Sequence, residues 1–253
     1  MERTAGEPRG QADQREIAKF ARMAEDWWNP EGKLRPLHRL NPIRLAYVRD
    51  MICQRFGRDP AGRTPYEGLR ILDVGCGGGL VSEPVKRLGA EVVGIDPTEE
   101  TIAAARIHAA ETGCAIDYRV ATTDDLVAAG ETFDVVLALE VVEHVPDVAA
   151  FVASCAALTR PGGLAVFATI NRTPKAYALA IVAAEQILRW LPRGTHDYRK
   201  LVRPEELGGH LGRAGYQVVD VSGIVYDPFR DLWKRSPDID VNYMVAARKG
   251  GSA

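Results

Sequence analysis

An apolar run that breaks into glycine, Leu72-Asp73-Val74-Gly75-Cys76-Gly77-Gly78-Gly79-Leu80, constrains this chain more than any other stretch. Glycines there permit a tight turn from strand into helix and leave bare backbone for a ligand, and the helix start offers oriented N–H groups. Taken alone, such a turn is also read as a plain strand–helix connection. A second apolar run, 91–95, ends in Asp96, which follows Gly75 by 21 residues. That is the offset at which a carboxylate accepts hydrogen bonds from ribose hydroxyls, so the pair points to a nucleoside. Asp96 stands before Pro97 and Thr98 and is equally read as a helix cap. If Gly75 and Gly77 are the first two glycines of a dinucleotide fingerprint, Leu80 falls where the third is needed. A dinucleotide is therefore the poorer reading.

The same alternation continues along the chain. Strand candidates are 70–74, 91–95, 116–121, 133–139, 164–169, 216–221 and 241–247, with helical stretches at 80–88, 99–112 and 148–158 between the early ones. Short β-branched runs alternating with helices predict βαβ units and a parallel sheet. Between the last two strands lies a polar stretch with proline and no good helix, so the final strand must return antiparallel. Upstream, 14–28 and 42–56 read as two helices placed to cover a ligand, and 175–191 reads as an inserted helix after the fifth strand.

A length of 253 residues suits one domain with an added subdomain. The net charge of −2 argues against a nucleic-acid partner. Cys53, Cys76, Cys114 and Cys155 form no close pair, which suits a reducing compartment and supplies neither a zinc motif nor a disulfide framework. Residues 1–14 are polar and read as a disordered leader, and no apolar stretch reaches the roughly 20 residues that span a bilayer.

After the fourth strand candidate comes Glu140-Val141-Val142-Glu143-His144-Val145, at the sheet edge where open α/β folds bind ligands. Two carboxylates and an imidazole in this spacing can hold a divalent cation. A Glu-His pair in this place also serves enzymes without metal. Asp124 and Asp125, after the third strand, read as helix-cap residues; in class I methyltransferases, which the glycine turn resembles, that position often contacts the adenine ring.

The glycine turn resembles the Asp-x-Gly-x-Gly-x-Gly motif of class I S-adenosylmethionine-dependent methyltransferases, matching at Asp73, Gly75, Gly77 and Gly79. Thr132-Phe133-Asp134-Val135-Val136 resembles that family's fourth strand, and Arg160-Pro161-Gly162-Gly163-Leu164 the turn into its fifth. The implied fold is Rossmann-like α/β: a seven-stranded, mostly parallel sheet with one antiparallel strand and helices on both faces. N-terminal helices and an inserted helix after strand five are added to it.

Further motifs narrow the resemblance. They are Leu37-His38-Arg39-Leu40-Asn41-Pro42-Ile43-Arg44-Leu45, Leu191-Pro192-Arg193-Gly194-Thr195-His196-Asp197, Gly223-Ile224-Val225-Tyr226-Asp227-Pro228 and Val241-Asn242-Tyr243-Met244. With Glu140–Val145 they resemble the ubiquinone-biosynthesis O-methyltransferases, which methylate hydroxyls of polyprenylated catechols and quinols. The resemblance implies one methyltransferase domain over 15–249, with cap helices at 15–57 and an inserted segment at about 172–203. It implies that Arg44, Asp73, Gly75, Gly77, Asp96 and Leu139 bind S-adenosylmethionine, Leu139 standing where some members have methionine. It also implies Mg²⁺ at Glu140, Glu143 and His144. Arg44 makes physical sense in that role, because a guanidinium pairs bidentately with the cofactor's carboxylate. Without the resemblance it reads as the polar face of a helix.

Glu143 and His144 are the candidate catalytic pair. A phenol has a pKa of about 10, so its proton must be removed, either by a cation that lowers that pKa or by His144 as general base. The apolar stretch 176–191, flanked by Lys175, Arg189 and Arg193 and carrying Trp190, can lie in a headgroup layer. It is equally read as packing on the sheet or on a second subunit. The expected setting is cytoplasmic, peripheral to the inner face of an anionic membrane, with a polyprenylated substrate and other ubiquinone-biosynthesis proteins as partners.

Overall fold

A computed structural model describes residues 22, 24–32, 34–179, 197–227 and 229–251. Within them, eight strands form one sheet in the order β3-β2-β1-β4-β5-β8-β6-β7. The strands are β1 (Arg70–Val74), β2 (Glu91–Asp96), β3 (Asp117–Val120), β4 (Phe133–Leu139), β5 (Thr159–Ile170), β6 (Tyr216–Asp227), β7 (Leu232–Ser236) and β8 (Asn242–Lys249). β1 to β5 pair in parallel, and β8 lies antiparallel to both β5 and β6. β6 therefore runs with the parallel set.

The central strands read as nearly continuous apolar runs because both of their faces are covered. On β4, Val136 and Ala138 join one core, and Val135, Leu137 and Leu139 the other. The first core packs under helix α5 (Val148–Leu158) and helix α6 (Pro204–Arg213), through Val152, Cys155, Leu158, Leu207 and Leu211. The second packs under α1 (Arg35–Phe56), through Tyr47, Val48 and Ile52. Helices α2 (Ser82–Arg87), α3 (Glu99–Glu111) and α4 (Thr123–Ala128) connect the early strands.

The sheet has one strand more than the seven expected. β7 is an exposed edge strand, Leu232-Trp233-Lys234-Arg235-Ser236, that folds back on β6. Its charged side chains suit an unprotected edge and hide it from any apolar pattern. Helix α1 also begins earlier than residue 42, with Pro42 inside it. Pro36 lies in the first turn, where a missing N–H costs nothing. Buried Leu40, Arg44, Tyr47, Val48, Met51 and Ile52 keep helical spacing past Pro42, so tertiary packing outweighs the one backbone bond lost.

The β6–β7 hairpin fixes α1 over the sheet. Arg235 pairs with Asp50 at 2.9 Å, the Tyr47 hydroxyl donates to the Asp220 carbonyl at 3.4 Å, and Arg39 pairs with Asp231. The proposed leader 1–14, most of the 14–28 helix, and 180–196 of the inserted segment lie outside the described residues. What is described of that insertion is one helical turn, Pro174–Ala176, with a continuation through residue 179, and the far end from residue 197, which holds the 3-10 turn Tyr198–Lys200.

Candidate active site

The glycine turn leaves β1 at Val74 and takes the left-handed conformation at Gly75, where φ is +65°. A side chain at Gly75 would stand 2.6 Å from the Val141 side chain, so glycine keeps the backbone both turned and bare. Asp73 lies beneath the turn, almost fully buried, and its Oδ2 accepts the Ser82 hydroxyl at 2.5 Å. Burial pushes its carboxyl up to about 7. Its place is thus behind the turn, fastening it to α2. Asp96 ends β2 half-buried, and its Oδ1 accepts the Thr98 N–H at 2.9 Å. Asp96 does not cap the helix, whose N-cap is Thr98; its Oδ1 closes the turn before it, and its other oxygen takes no hydrogen bond among the described residues.

Leu139 closes β4 with 8% exposure. The chain bends at Glu140, where φ is +60° in a non-glycine residue and the N–H donates to the Ala168 carbonyl at 2.8 Å. Such a conformation is costly and tends to mark functional sites. The bend brings Glu140 Oε1 to 2.7 Å from Arg44 Nη2. Arg44 is 3% exposed; its Nη2 is ion-paired with Glu140, and its buried Nε makes no hydrogen bond. A buried guanidinium whose Nε–H has no partner costs free energy until an acceptor satisfies it.

Glu143 follows in a 3-10 turn, Val142–His144, and is also 3% exposed. Its Oε2 accepts the Thr169 hydroxyl at 2.7 Å, while Oε1 is buried without a partner. Burial first, then the neighbouring Glu140 charge, pushes its carboxyl up to about 8. His144 is exposed.

The expected Mg²⁺ triad is therefore not assembled. Glu140 turns to Arg44, Glu143 turns to Thr169 on β5, and His144 stays at the surface. Among the described residues, no three His, Cys, Asp or Glu side chains converge to hold a metal. The cause is local: a left-handed residue followed by a 3-10 turn sends side chains three and four positions on to different sides. The residues as placed do not fit the ion.

Asp125 forms a capping box with Thr122, and Asp124 accepts the Ser154 hydroxyl at 2.7 Å, so the cap reading holds for the first and a surface bond for the second. Lys175 is bound to Asp238 at 2.6 Å and Asp240 at 3.2 Å. His196, Arg189 and Arg193 lie outside the described residues, and Asp197 caps the turn Tyr198–Lys200. Sequence reasoning missed Thr169 and Asn41, whose side-chain amide holds the Leu80 carbonyl at 2.7 Å and ties α1 to the glycine turn. Thr169 was detectable as the one hydroxyl in an otherwise apolar strand end.

A methyltransferase-domain family matches residues 72–167, the span from the glycine turn to β5. Among solved structures, magnesium protoporphyrin IX methyltransferase from Synechocystis PCC 6803, determined with bound SAH, shares the fold at a TM-score of 0.59 and 16% identity. The match covers 96% of this chain and 90% of that one. Much nearer in sequence is the ubiquinone biosynthesis O-methyltransferase of Mesorhizobium japonicum, 58% identical over 96% of this chain and 97% of its own. The Rhizobium etli protein of the same name is 57% identical over 95% and 97%. The chain belongs to the ubiquinone biosynthesis O-methyltransferase family, on a class I S-adenosylmethionine-dependent methyltransferase fold.

Proposed function

We propose that this protein transfers the methyl group of S-adenosylmethionine to a hydroxyl of polyprenylated catechols and quinols, 2-polyprenyl-6-hydroxyphenol and 3-demethylubiquinol. The observation that carries the reading is the pair of unsatisfied buried atoms beside the glycine turn: Arg44 Nε and Glu143 Oε1. Arg44 takes the cofactor's carboxylate, Gly75 and Gly77 lie along its aminoacyl arm, Leu139 lines the cleft, and Asp96 takes the ribose through its idle oxygen. Asp73 supports the turn from behind. One domain, about 15–249, carries the whole reaction.

The acceptor oxygen attacks the methyl carbon in line as the carbon–sulfur bond breaks, and the sulfur leaves with the electron pair as neutral S-adenosylhomocysteine. The acceptor's proton passes to Glu143 Oε1, whose raised pKa suits a base working near neutrality. His144, next in the chain and exposed, then exchanges that proton with water.

The substrate's tail belongs in a bilayer, so the protein docks peripherally. Among the described residues, no helix is long and apolar enough to cross one. Exposed Tyr177 and Leu179, where the inserted segment begins, support an apolar contact. Lys175 is neutralised by its two aspartates, so charge on the anionic surface must be met elsewhere.

The experiment is methyl transfer from a labelled donor to a demethylated quinol, short-tailed in solution or long-tailed in anionic vesicles, followed by mass spectrometry of the extract. One labelled methyl per quinol is expected, with faster transfer to the long-tailed substrate. Labelling of neither substrate contradicts the activity, and a preference for the short tail contradicts the membrane docking.

A further inference from the structure

The N-terminal segment presses on the glycine turn. A Cβ built on Gly78 would lie 2.5 Å from Trp27 Cγ and 2.8 Å from Trp27 Cβ, and one on Gly77 would lie 2.5 Å from Trp27 Cη2. The Trp27 indole thus rests flat along both glycines. Gly75 faces Val141 and Gly79 faces Tyr118, so the run of glycines serves three different neighbours.

Trp28 anchors that contact. Its indole N–H donates to the Gly78 carbonyl at 2.9 Å, and its ring stacks on His108 at 3.8 Å with 5° between planes. His108 is held in turn by Glu83, 2.6 Å away and fully buried, which also takes Arg87 at 3.1 Å. The Trp27 carbonyl meets the His38 ring at 2.8 Å, one turn before Asn41 and two before Arg44 on α1. Strap, glycine turn and the arginine helix therefore form one connected assembly.

We propose that residues 24–28 are a strap that completes the cofactor pocket, with Trp27 a positioning residue that holds the Gly77–Gly78 backbone in the shape the cofactor needs. The family's name and motif do not require this; it rests on the glycine turn being the cofactor cradle, which titration of the unaltered protein tests separately. Two tryptophan rings placed over one turn bury much apolar surface with little side-chain freedom to lose, which suits a rigid wall. Gly78 has an ordinary backbone conformation, so alanine is permitted there by the chain, and the three nearest atoms that oppose it all belong to Trp27.

That asymmetry supplies the test. S-Adenosylhomocysteine binding is measured by calorimetry for Trp27→Ala, Gly78→Ala and the double variant, with donor KM and kcat alongside. Each single variant should raise Kd at least tenfold, and the double should fall well short of the product of the two, because only the position-27 Cβ, 2.8 Å away, is then left for the alanine methyl to displace. KM for the donor should rise with kcat within threefold, and Trp27→Phe should recover part of the loss. A purely structural role would instead lower the binding stoichiometry and kcat together.

If Trp27→Ala does not fold, Trp28→Phe, which keeps the stack on His108 and loses the bond to Gly78, should raise Kd as Gly78→Ala does. Wild-type Kd in both of these variants overturns the proposal. So does tighter binding by Trp27→Ala, since the ring would then compete with the cofactor. If the unaltered protein binds no S-adenosylhomocysteine, it is the cofactor site and not the strap that fails.

Discussion

Replacing Arg44 by Met should weaken S-adenosylhomocysteine binding by about 10²–10³-fold. The ligand's carboxylate would lose charge-assisted hydrogen bonds worth about 1.5–3 kcal/mol each, and every 1.4 kcal/mol is roughly tenfold in Kd. The vacated space adds a penalty, because Glu140, normally 2.7 Å from Arg44, would face both the ligand's carboxylate and Glu143 without a cation between them. Arg44→Lys should restore only part of the loss, since an ammonium cannot offer two parallel donors. Calorimetry at fixed salt gives the answer. A Kd within threefold of wild type for Arg44→Met would mean that the carboxylate is held elsewhere.

Glu143→Gln should lower kcat by about 10²–10⁴-fold, the usual worth of a positioned general base, while S-adenosylhomocysteine Kd stays within threefold. The wild-type pH profile carries the same information. With its carboxyl pushed up to about 8, Glu143 holds its proton at lower pH and is inert as a base there. Below that value kcat/KM should therefore fall about tenfold per pH unit and level off above it. In the cofactor complex the sulfonium charge favours the carboxylate, so the limb in kcat should lie at lower pH.

Stability should move the other way. Between the ordinary glutamate value near 4.5 and about 8, the folded protein holds a proton that the unfolded chain has released. Folding is then progressively disfavoured as pH rises through that window. Glu143→Gln should remove its share of this decline and leave the share from Asp73, whose carboxyl is pushed up to about 7. A pH–rate limb that persists unchanged in Glu143→Gln would assign the proton to another group.

The strand–turn–helix units were legible because the central strands are covered on both faces and so appear as unbroken apolar runs. Gly75 and Asp96 were legible for a similar reason, since a bare turn and a carboxylate on neighbouring strand ends sit at a fixed offset. Arg44 was read as a surface residue from its own helix pattern and reached the site only through the family motif. Its partner lies 96 positions further along the chain, out of reach of any local pattern. Pro42 disguised the start of α1, because local helix rules give proline more weight than a long buried stripe does. The edge strand β7 was illegible because its protection is charge rather than burial. The geometry at Glu140, Glu143 and His144 was illegible, since no local pattern announces a left-handed residue followed by a 3-10 turn.

The central claim is that one pocket, between the glycine turn and α1, holds an adenosyl amino acid. A crystal structure of the S-adenosylhomocysteine complex tests it most directly. The account predicts the ligand's carboxylate within hydrogen-bond distance of Arg44, its ribose hydroxyls on Asp96 and its chain against Gly75. A nucleoside seated elsewhere, with Arg44 and Asp96 as they stand now, would contradict it.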